Sequence, residues 1–237
     1  AAIPDRKATE SLDLQASWAY TPLCGVGGDT MERACSRAGI TAPTRVESQF
    51  EPNGLFPGLP FPNPEEPGAM NEAYSVADEA GIDLVVANDP DADRLAVAMK
   101  TVDGWRQLSG DEVGLLLCDH QLSNTTGDNR LTASSVVSSQ AVAALCARRG
   151  VEHIRTLTGF KWIMEPAVKK PEARWIFGYE EALGYSVNDH VLDKDGIAAA
   201  VTFMEMVASL RSKGLDPLTR LDELAFEIGL YVTSQVS

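Results

Sequence analysis

The chain is short of positive charge, of cysteine and of long apolar runs, and each shortage removes a class of function. Among 237 residues it has 20 Lys and Arg against 34 Asp and Glu, a formal net charge of −14. Nucleic acid and anionic membrane surfaces repel such a chain as a whole. A small phosphorylated substrate remains compatible, because a local cluster of Arg and Lys outweighs a distant field at short range. No segment approaches the roughly 18 consecutive apolar residues of a membrane span. The opening AAIPDRKATESLD lacks the apolar stretch of a signal peptide. Only Cys24, Cys35, Cys118 and Cys146 are present, without CxxC spacing and each beside apolar residues. They are expected as buried free thiols in a reducing, cytoplasmic setting, with a Cys24–Cys35 disulfide as the alternative. No His-Cys-Asp spacing suggests zinc, and His120 and His153 read as structural groups. GxxxxGK[ST] and GxGxxG are both missing, and Gly25-Val26-Gly27-Gly28 is too irregular for a nucleotide loop. The first residue is not Met, and the lead-in is polar with no clear first strand, so an interior piece of a longer polypeptide is expected.

What is present is a globular composition, 44% apolar and 23% charged, at a length suited to one large domain or two ordinary ones. Gln15–Tyr20 reads as a strand, Thr30–Ala38 as a helix stopped by Gly39, and Arg45–Phe50 as a second strand. Residues 51–68 hold six Pro and three Gly and read as loop. Asn71–Ala80 is an amphipathic helix with Ala73, Val76, Ala77 and Ala80 inward. Ile82–Ala87, almost wholly apolar, reads as a strand buried on both faces. Leu95–Met99 is a strand that returns through an Asp103-Gly104 turn. A second pattern starts near Ser109–Glu112: a helix over Val113–His120, a strand at Leu131–Val137, a helix at Gln140–Arg149 and a strand at Glu152–Thr156. A short helix follows at Gly159–Val168, interrupted by Pro166, then a strand at Trp175–Phe177 and helices at Asp195–Leu210 and Asp216–Phe226. Two α/β units of similar length, divided near Leu108, account for this order.

The segment that carries chemistry is Asn88-Asp89-Pro90-Asp91-Ala92-Asp93-Arg94. Alternate side chains of an extended backbone share a face, so Asp89, Asp91 and Asp93 can converge on one point. Three carboxylates that close repel one another unless something positive sits among them. A hard divalent cation is the natural occupant, and Mg²⁺ is the common one beside a phosphate. Arg94 offers a fixed fork of donors to a carboxylate or phosphate. The plainer reading is an acidic turn, since Asp and Pro are frequent loop formers. The Gly and distal Glu of an EF-hand are missing.

Ligands of open α/β sheets bind beyond the carboxyl ends of the strands. Residues 88–94 follow one apolar strand, and Tyr179-Glu180-Glu181-Ala182-Leu183-Gly184-Tyr185 follows another. Adjacent carboxylates there can accept from sugar hydroxyls, with Phe177, Tyr179 and Tyr185 as an apolar wall; a solvated acidic loop is the alternative. In Val191-Leu192-Asp193-Lys194-Asp195-Gly196, Asp195 is a candidate N-cap, which leaves Lys194 to face a cleft. Lys161, in Thr158-Gly159-Phe160-Lys161-Trp162, opens a helix whose N–H groups favour anions. His190 can titrate near neutrality, although a lone His is more often structural or at the surface.

NDPDADR, TGFKW at 158–162, GYEEALGY at 178–185 and VLDKDG at 191–196 together resemble the α-D-phosphohexomutases, the phosphoglucomutase and phosphomannomutase family. TPLCGVGG at 21–28 is similar to the opening of that family's second domain, where His is usual in place of Cys24. EEALGY is most similar to the branch that includes phosphopentomutase-active members. The resemblance implies two related three-layer α/β/α domains with mixed sheets, the second and third of four. Residues 1–14 would be a linker from a first domain, 15–107 the second domain, 108–214 the third, and 215–237 the start of a linker to a fourth.

The same resemblance implies that Asp89, Asp91 and Asp93 hold Mg²⁺ and that Arg94 supports the phosphoserine region. Glu180 and Glu181 would bind sugar hydroxyls. Lys161 and Lys194 would line the cleft, Lys161 near the transferred phosphate, with His190 on the substrate side. It implies phosphoryl exchange between a phosphoserine and a sugar phosphate through a sugar bisphosphate. The family's nucleophile loop does not occur here, since Thr132-Ala133-Ser134-Ser135 lacks the His-Asn-Pro that follows it, and Ser134 is not assigned that role. Ala182 stands where the family has a sugar-contacting Ser. The chain is therefore expected to be inactive alone, with the first and fourth domains of the same polypeptide as its partners. Replacing Glu180 is expected to leave Mg²⁺ binding unchanged, because the two loops belong to different units. A non-catalytic acidic two-domain scaffold or partner-binding protein is the alternative, and an independent phosphatase a second one.

Overall fold

The computed structural model describes residues 16–234. The expected linker at 1–14 and Gln15 lie outside them. In chain order the elements are β1 (Ala19–Thr21), α1 (Gly28–Ala38), β2 (Thr44–Arg45), α2 (Glu47–Phe50), α3 (Asn71–Glu79), β3 (Leu84–Ala87), β4 (Ala96–Thr101) and β5 (Gly104–Gln107). Then come α4 (Gly110–Asn124), β6 (Arg130–Ser135), α5 (Ala141–Arg148), β7 (Glu152–Thr156), α6 (Phe160–Lys169), β8 (Arg174–Glu180), β9 (Gly184–Ser186), α7 (Gly196–Arg211) and α8 (Pro217–Ile228).

The strands form two mixed sheets, ordered β2-β1-β3-β4-β5 and β7-β6-β8-β9. In each, three parallel strands are followed by an antiparallel return, β3 to β4 and β8 to β9. The chain thus writes one α/β/α plan twice, and sheets of this kind are covered by helices on both faces. β3 shows why: Leu84, Val85, Val86 and Ala87 are all fully buried. On one face of the second sheet, Phe160, Ile163 and Met164 of α6 pack with Leu131, Ala133 and Trp175. On the other, α4 lies over β8 in a core continuous with the first unit. α7, from the end of the second unit, packs against α1 of the first, and Arg211 pairs with Asp83 at 2.7 Å.

Local signals set the helix starts. Ser109 and Glu112 cap each other's backbone N–H groups and launch α4. Asp195 accepts from the Ile197 and Ala198 N–H groups to start α7. Asp216 caps α8, with Pro217 in its first turn. α8 lies inside the segment expected as linker and docks on α4 through Arg220–Asp119 at 2.9 Å.

Several expectations are corrected. Arg45–Phe50 is not a strand. The ladder ends as the Val46 N–H donates to the Tyr20 carbonyl, and α2 begins because Thr21 Oγ1 bonds Gln49 Oε1 at 2.6 Å and Phe50 turns in against Gly28. The hairpin turn is Val102-Asp103 rather than Asp103-Gly104, with Gly104 opening β5 at φ +116°. α6 continues through Pro166 to Lys169. Ala80 is exposed at the end of α3. Residues 178–185 are mostly strand, since β8 extends to Glu180 and pairs with β9 across a turn at 181–183. All four cysteines are free and buried, so no Cys24–Cys35 disulfide exists.

Candidate functional site

The loop after β3 is closed by its own side chains. Tyr20 donates to Asn88 Oδ1 at 2.8 Å, and Asn88 Nδ2 donates to the Arg94 carbonyl at 2.6 Å. Asp89, buried, accepts from the Arg94 backbone N–H at 3.0 Å and from Arg94 Nε at 2.5 Å. Between them Ala92 takes the left-handed conformation at φ +60°, an uncommon state for a residue with a side chain and one that collects at functional sites. The loop after β1 supports it from below. Val26 donates to the Pro90 carbonyl, and a Cβ on Gly25 would sit 2.3 Å from Pro90.

This closure converges the triad: Asp89, Asp91 and Asp93 each place a carboxylate oxygen within 4.8 Å of the others. Asp91 is exposed and Asp93 half-buried. Three hard oxygen donors at that spacing fit one small divalent ion, which takes oxygens at about 2.1 Å. Two fixed cations already neutralise part of the charge. Arg94 Nε is also 3.8 Å from Asp93, and Lys194 Nζ is 2.9 Å from the other Asp93 oxygen. Burial opposes the charge of both Arg94 and Lys194, but the carboxylates outweigh it and hold both pKa values above the ordinary ones.

Lys194 reaches Asp93 from the second unit because glycines let backbones meet. Its stem crosses Gly184, where a Cβ would lie 2.5 Å from Lys194 Cδ, and its ammonium stands 5.6 Å over the Phe160 ring. A Cβ on Gly196 would lie 2.3 Å from the Arg94 carbonyl. Arg94 pairs with Gly184 in an antiparallel bridge, Leu95 N–H donates to the Leu183 carbonyl at 3.0 Å, and Gly196 N–H donates to the Ala92 carbonyl at 3.2 Å. The β3–β4 loop, the β8–β9 turn and the entry to α7 are one hydrogen-bonded piece.

Glu180 accepts the Gly159 N–H at 3.0 Å, which fixes the start of α6, and its charge helps to hold the Lys194 proton. Glu181 is held by Ser135 and Ser138. The triad, Arg94, Lys194 and Glu180 therefore share one neighbourhood. Glu181 lies on a cleft of about 570 Å³ beside it, walled by Glu65, Asp111, Glu112 and Leu183. Two expected residues contact only their sequence neighbours among the described residues. Lys161 is exposed, with its ammonium 5.2 Å over the neighbouring Trp162 ring, and His190 is 54% exposed, 3.8 Å from Asp189. Neither Ser135 nor Ser138 is among the site residues expected from the sequence. The signal for them was the run Ser134-Ser135-Val136-Val137-Ser138-Ser139 at the carboxyl end of β6, the same edge that carries the other loops.

Comparison with known proteins identifies the two-unit fold. Residues 3–104 match "Phosphoglucomutase/phosphomannomutase, alpha/beta/alpha domain II", and residues 109–224 match domain III of the same family. The chain is 40% identical to a "Probable phosphomannomutase" of Haemophilus influenzae, over 93% of its own length and 45% of that protein's. It is 35% identical to the human "Phosphopentomutase", over 93% of its length and 38% of the relative's. A phosphoglucomutase/phosphomannomutase family protein of Burkholderia thailandensis shares the fold at a TM-score of 0.73 and 20% identity, covering 90% of this chain and 43% of that one. The chain thus spans less than half the length of these relatives. It belongs to the phosphoglucomutase/phosphomannomutase family.

Proposed function

We propose that this chain is the metal-loop and sugar-loop portion of a phosphosugar mutase, which moves a phosphoryl group between C1 and C6, or C1 and C5, of a sugar phosphate by way of a phosphoserine and a bisphosphate. The observation that supports it best is the junction itself: a three-carboxylate loop from one unit meets Lys194 and the Glu180–Glu181 hairpin of the other across the Arg94–Gly184 bridge. Its second domain runs to about residue 107 and its third from about residue 108 through α8, which docks on α4. Residues 1–14 and the residues after α8 connect to first and fourth domains that supply the phosphoserine and the second phosphate clamp.

In this reading Asp89, Asp91 and Asp93 hold Mg²⁺, which when bound neutralises charge on the transferring phosphoryl group. Arg94 fixes the Asp89 carboxylate through two hydrogen bonds and supports the phosphoserine region. Lys194 carries a positive charge across the gap between metal loop and sugar, available to a phosphate oxygen. Glu180 and Glu181 accept from sugar hydroxyls. Lys161 lies at the phosphate rim and His190 at the substrate rim, both requiring the bound sugar or the remaining domains to bring them in. Ala182 in place of a hydroxyl donor, together with the phosphopentomutase relatives, favours a pentose phosphate as well as a hexose phosphate. Four free, buried cysteines suit a reducing, cytoplasmic setting.

A coupled assay with glucose 1-phosphate, mannose 1-phosphate or ribose 1-phosphate and a bisphosphate activator tests the proposal. The full-length polypeptide turns over at least one of them faster than about 1 s⁻¹, the lower end for enzymes, and the isolated chain reads background. Turnover by the isolated chain would place the nucleophile within these residues. No turnover by the full-length polypeptide on any of them would refute the mutase reading.

A further inference from the structure

We propose that Ser135 and Ser138, in the turn from β6 to α5, are positioning residues that fix the Glu181 carboxylate as a sugar-hydroxyl acceptor; the inference rests on the mutase reading above. Both serines are buried, at 0% and 3% exposure. Ser138 Oγ lies 2.8 Å and Ser135 Oγ 3.0 Å from the same carboxylate oxygen, Glu181 Oε2. The two hydroxyls are 2.7 Å apart.

The proton count gives this cluster one direction. Ser138 Oγ already accepts the Glu181 backbone N–H at 3.2 Å, and Ser135 Oγ accepts the Ser138 N–H at 3.1 Å. Each hydroxyl has a single proton to give. Each still has a second lone pair, so Ser138 donates to the acceptor-only Oε2 directly and Ser135 donates to it directly or through Ser138. An ionised carboxylate, acceptor-only, is the form that suits two such donors. Oε1 has no hydrogen-bond partner among the described residues and is left to the cleft that Glu181 lines.

The turn itself is braced. Asp111 Oδ1 accepts the Ser139 N–H at 2.8 Å and the Tyr179 hydroxyl at 2.9 Å, so the first turn of α4 ties the serine turn to β8. Gly110 allows the approach, since a Cβ there would fall 1.8 Å from the Glu181 carbonyl. A free surface Glu would lose its rotamer freedom on binding a hydroxyl, whereas Glu181 has already lost it in the folded chain. Affinity gained by such preorganisation disappears when the supporting donors are removed, even with the carboxylate present.

The test is a double-mutant cycle in the full-length polypeptide, with kcat and KM measured on glucose 1-phosphate and ribose 1-phosphate and folding checked by calorimetry. Glu181→Ala and Ser138→Ala each lower kcat/KM about tenfold, the scale of one hydrogen bond to a charged group, chiefly through KM. In the Glu181→Ala background, Ser138→Ala changes kcat/KM less than about twofold, because its effect runs through the missing carboxylate. Ser135→Ala, which leaves Ser138 in place, gives a smaller loss of the same kind and carries the test if Ser138→Ala fails to fold. A tenfold loss for Glu181→Ala with folded serine variants at wild-type kinetics overturns the inference and leaves the sugar contact standing. So do losses that multiply in the double variant. Wild-type kinetics for Glu181→Ala removes both the sugar contact and the inference, and absence of turnover in the unmutated polypeptide removes the mutase reading with them.

Discussion

The β3–β4 connection of the first unit and the β8–β9 connection of the second occupy the same place in the same strand order, yet they use carboxylates in opposite ways. The first runs eight residues, 88–95, and the second three, 181–183. The longer one folds back on Asn88 and aims three carboxylates at one point, with only Asp89 fully tied to its own loop. At the shorter one each carboxylate has one oxygen tied to a neighbour, Glu180 Oε1, at the end of β8, to Gly159 and Glu181 Oε2 to two serines. Each holds one left-handed residue with a side chain, Ala92 at φ +60° and Leu183 at φ +64°. Loop length separates converging carboxylates from hydrogen-bonded ones on a shared scaffold, and sites are grafted on folds in this manner.

The contrast is broken most severely at Asp89. Removing it strands the Arg94 guanidinium, whose side chain is 29% exposed, beside an empty buried position. Asp89→Ala is expected to cost about 3 kcal/mol, the lower end for breaking a buried ion pair, read as a lower urea midpoint at unchanged slope, and to abolish Mg²⁺ binding. The seam between the loops comes next. Gly196→Ala forces a methyl onto the Arg94 carbonyl and is expected to cost about 1–3 kcal/mol, the range for overpacking, and to weaken Mg²⁺ binding although residue 196 is no ligand. Unchanged Mg²⁺ affinity in that variant would mean that the seam does not shape the triad. In the shorter loop, Glu181→Ala leaves two buried hydroxyls without their acceptor and is expected to cost about 1 kcal/mol with no loss of Mg²⁺ binding. A loss as large as that of Asp89→Ala would erase the distinction between the two loops.

Much of this was legible in the residues because it depends on local order. Buried Leu84–Ala87, the Ser109–Glu112 box, the Asp195 cap and the alternation of Asp89, Asp91 and Asp93 each state their role within a few positions. What was not legible depends on partners far along the chain. Phe50 turns inward because Gly28 leaves room for it, so a stretch with strand-forming residues becomes α2. Glu180 and Glu181 read as free acceptors because their partners, Gly159, Ser135 and Ser138, stand 21 to 46 residues away. The two loops were expected to act separately, being in different units, but the sequence cannot show that Lys194 lies on Asp93. That contact makes the division at residue 108 a division of sheets and not of the site, and it gives Glu180 a route, through Lys194, to the triad.

The direct test is a calorimetric Mg²⁺ titration of this chain and its Lys194→Met variant. Lys194 Nζ stands 2.9 Å from an Asp93 oxygen and competes with any cation the triad takes. Two unit charges about 4 Å apart in water interact by about 1 kcal/mol, and a divalent ion doubles that to about 2 kcal/mol, so the variant is predicted to bind Mg²⁺ about thirtyfold more tightly, with the gain shrinking as salt is raised. Equal Kd values for the two proteins across salt would contradict the account, because the second unit would then contribute nothing to the charge balance of the first.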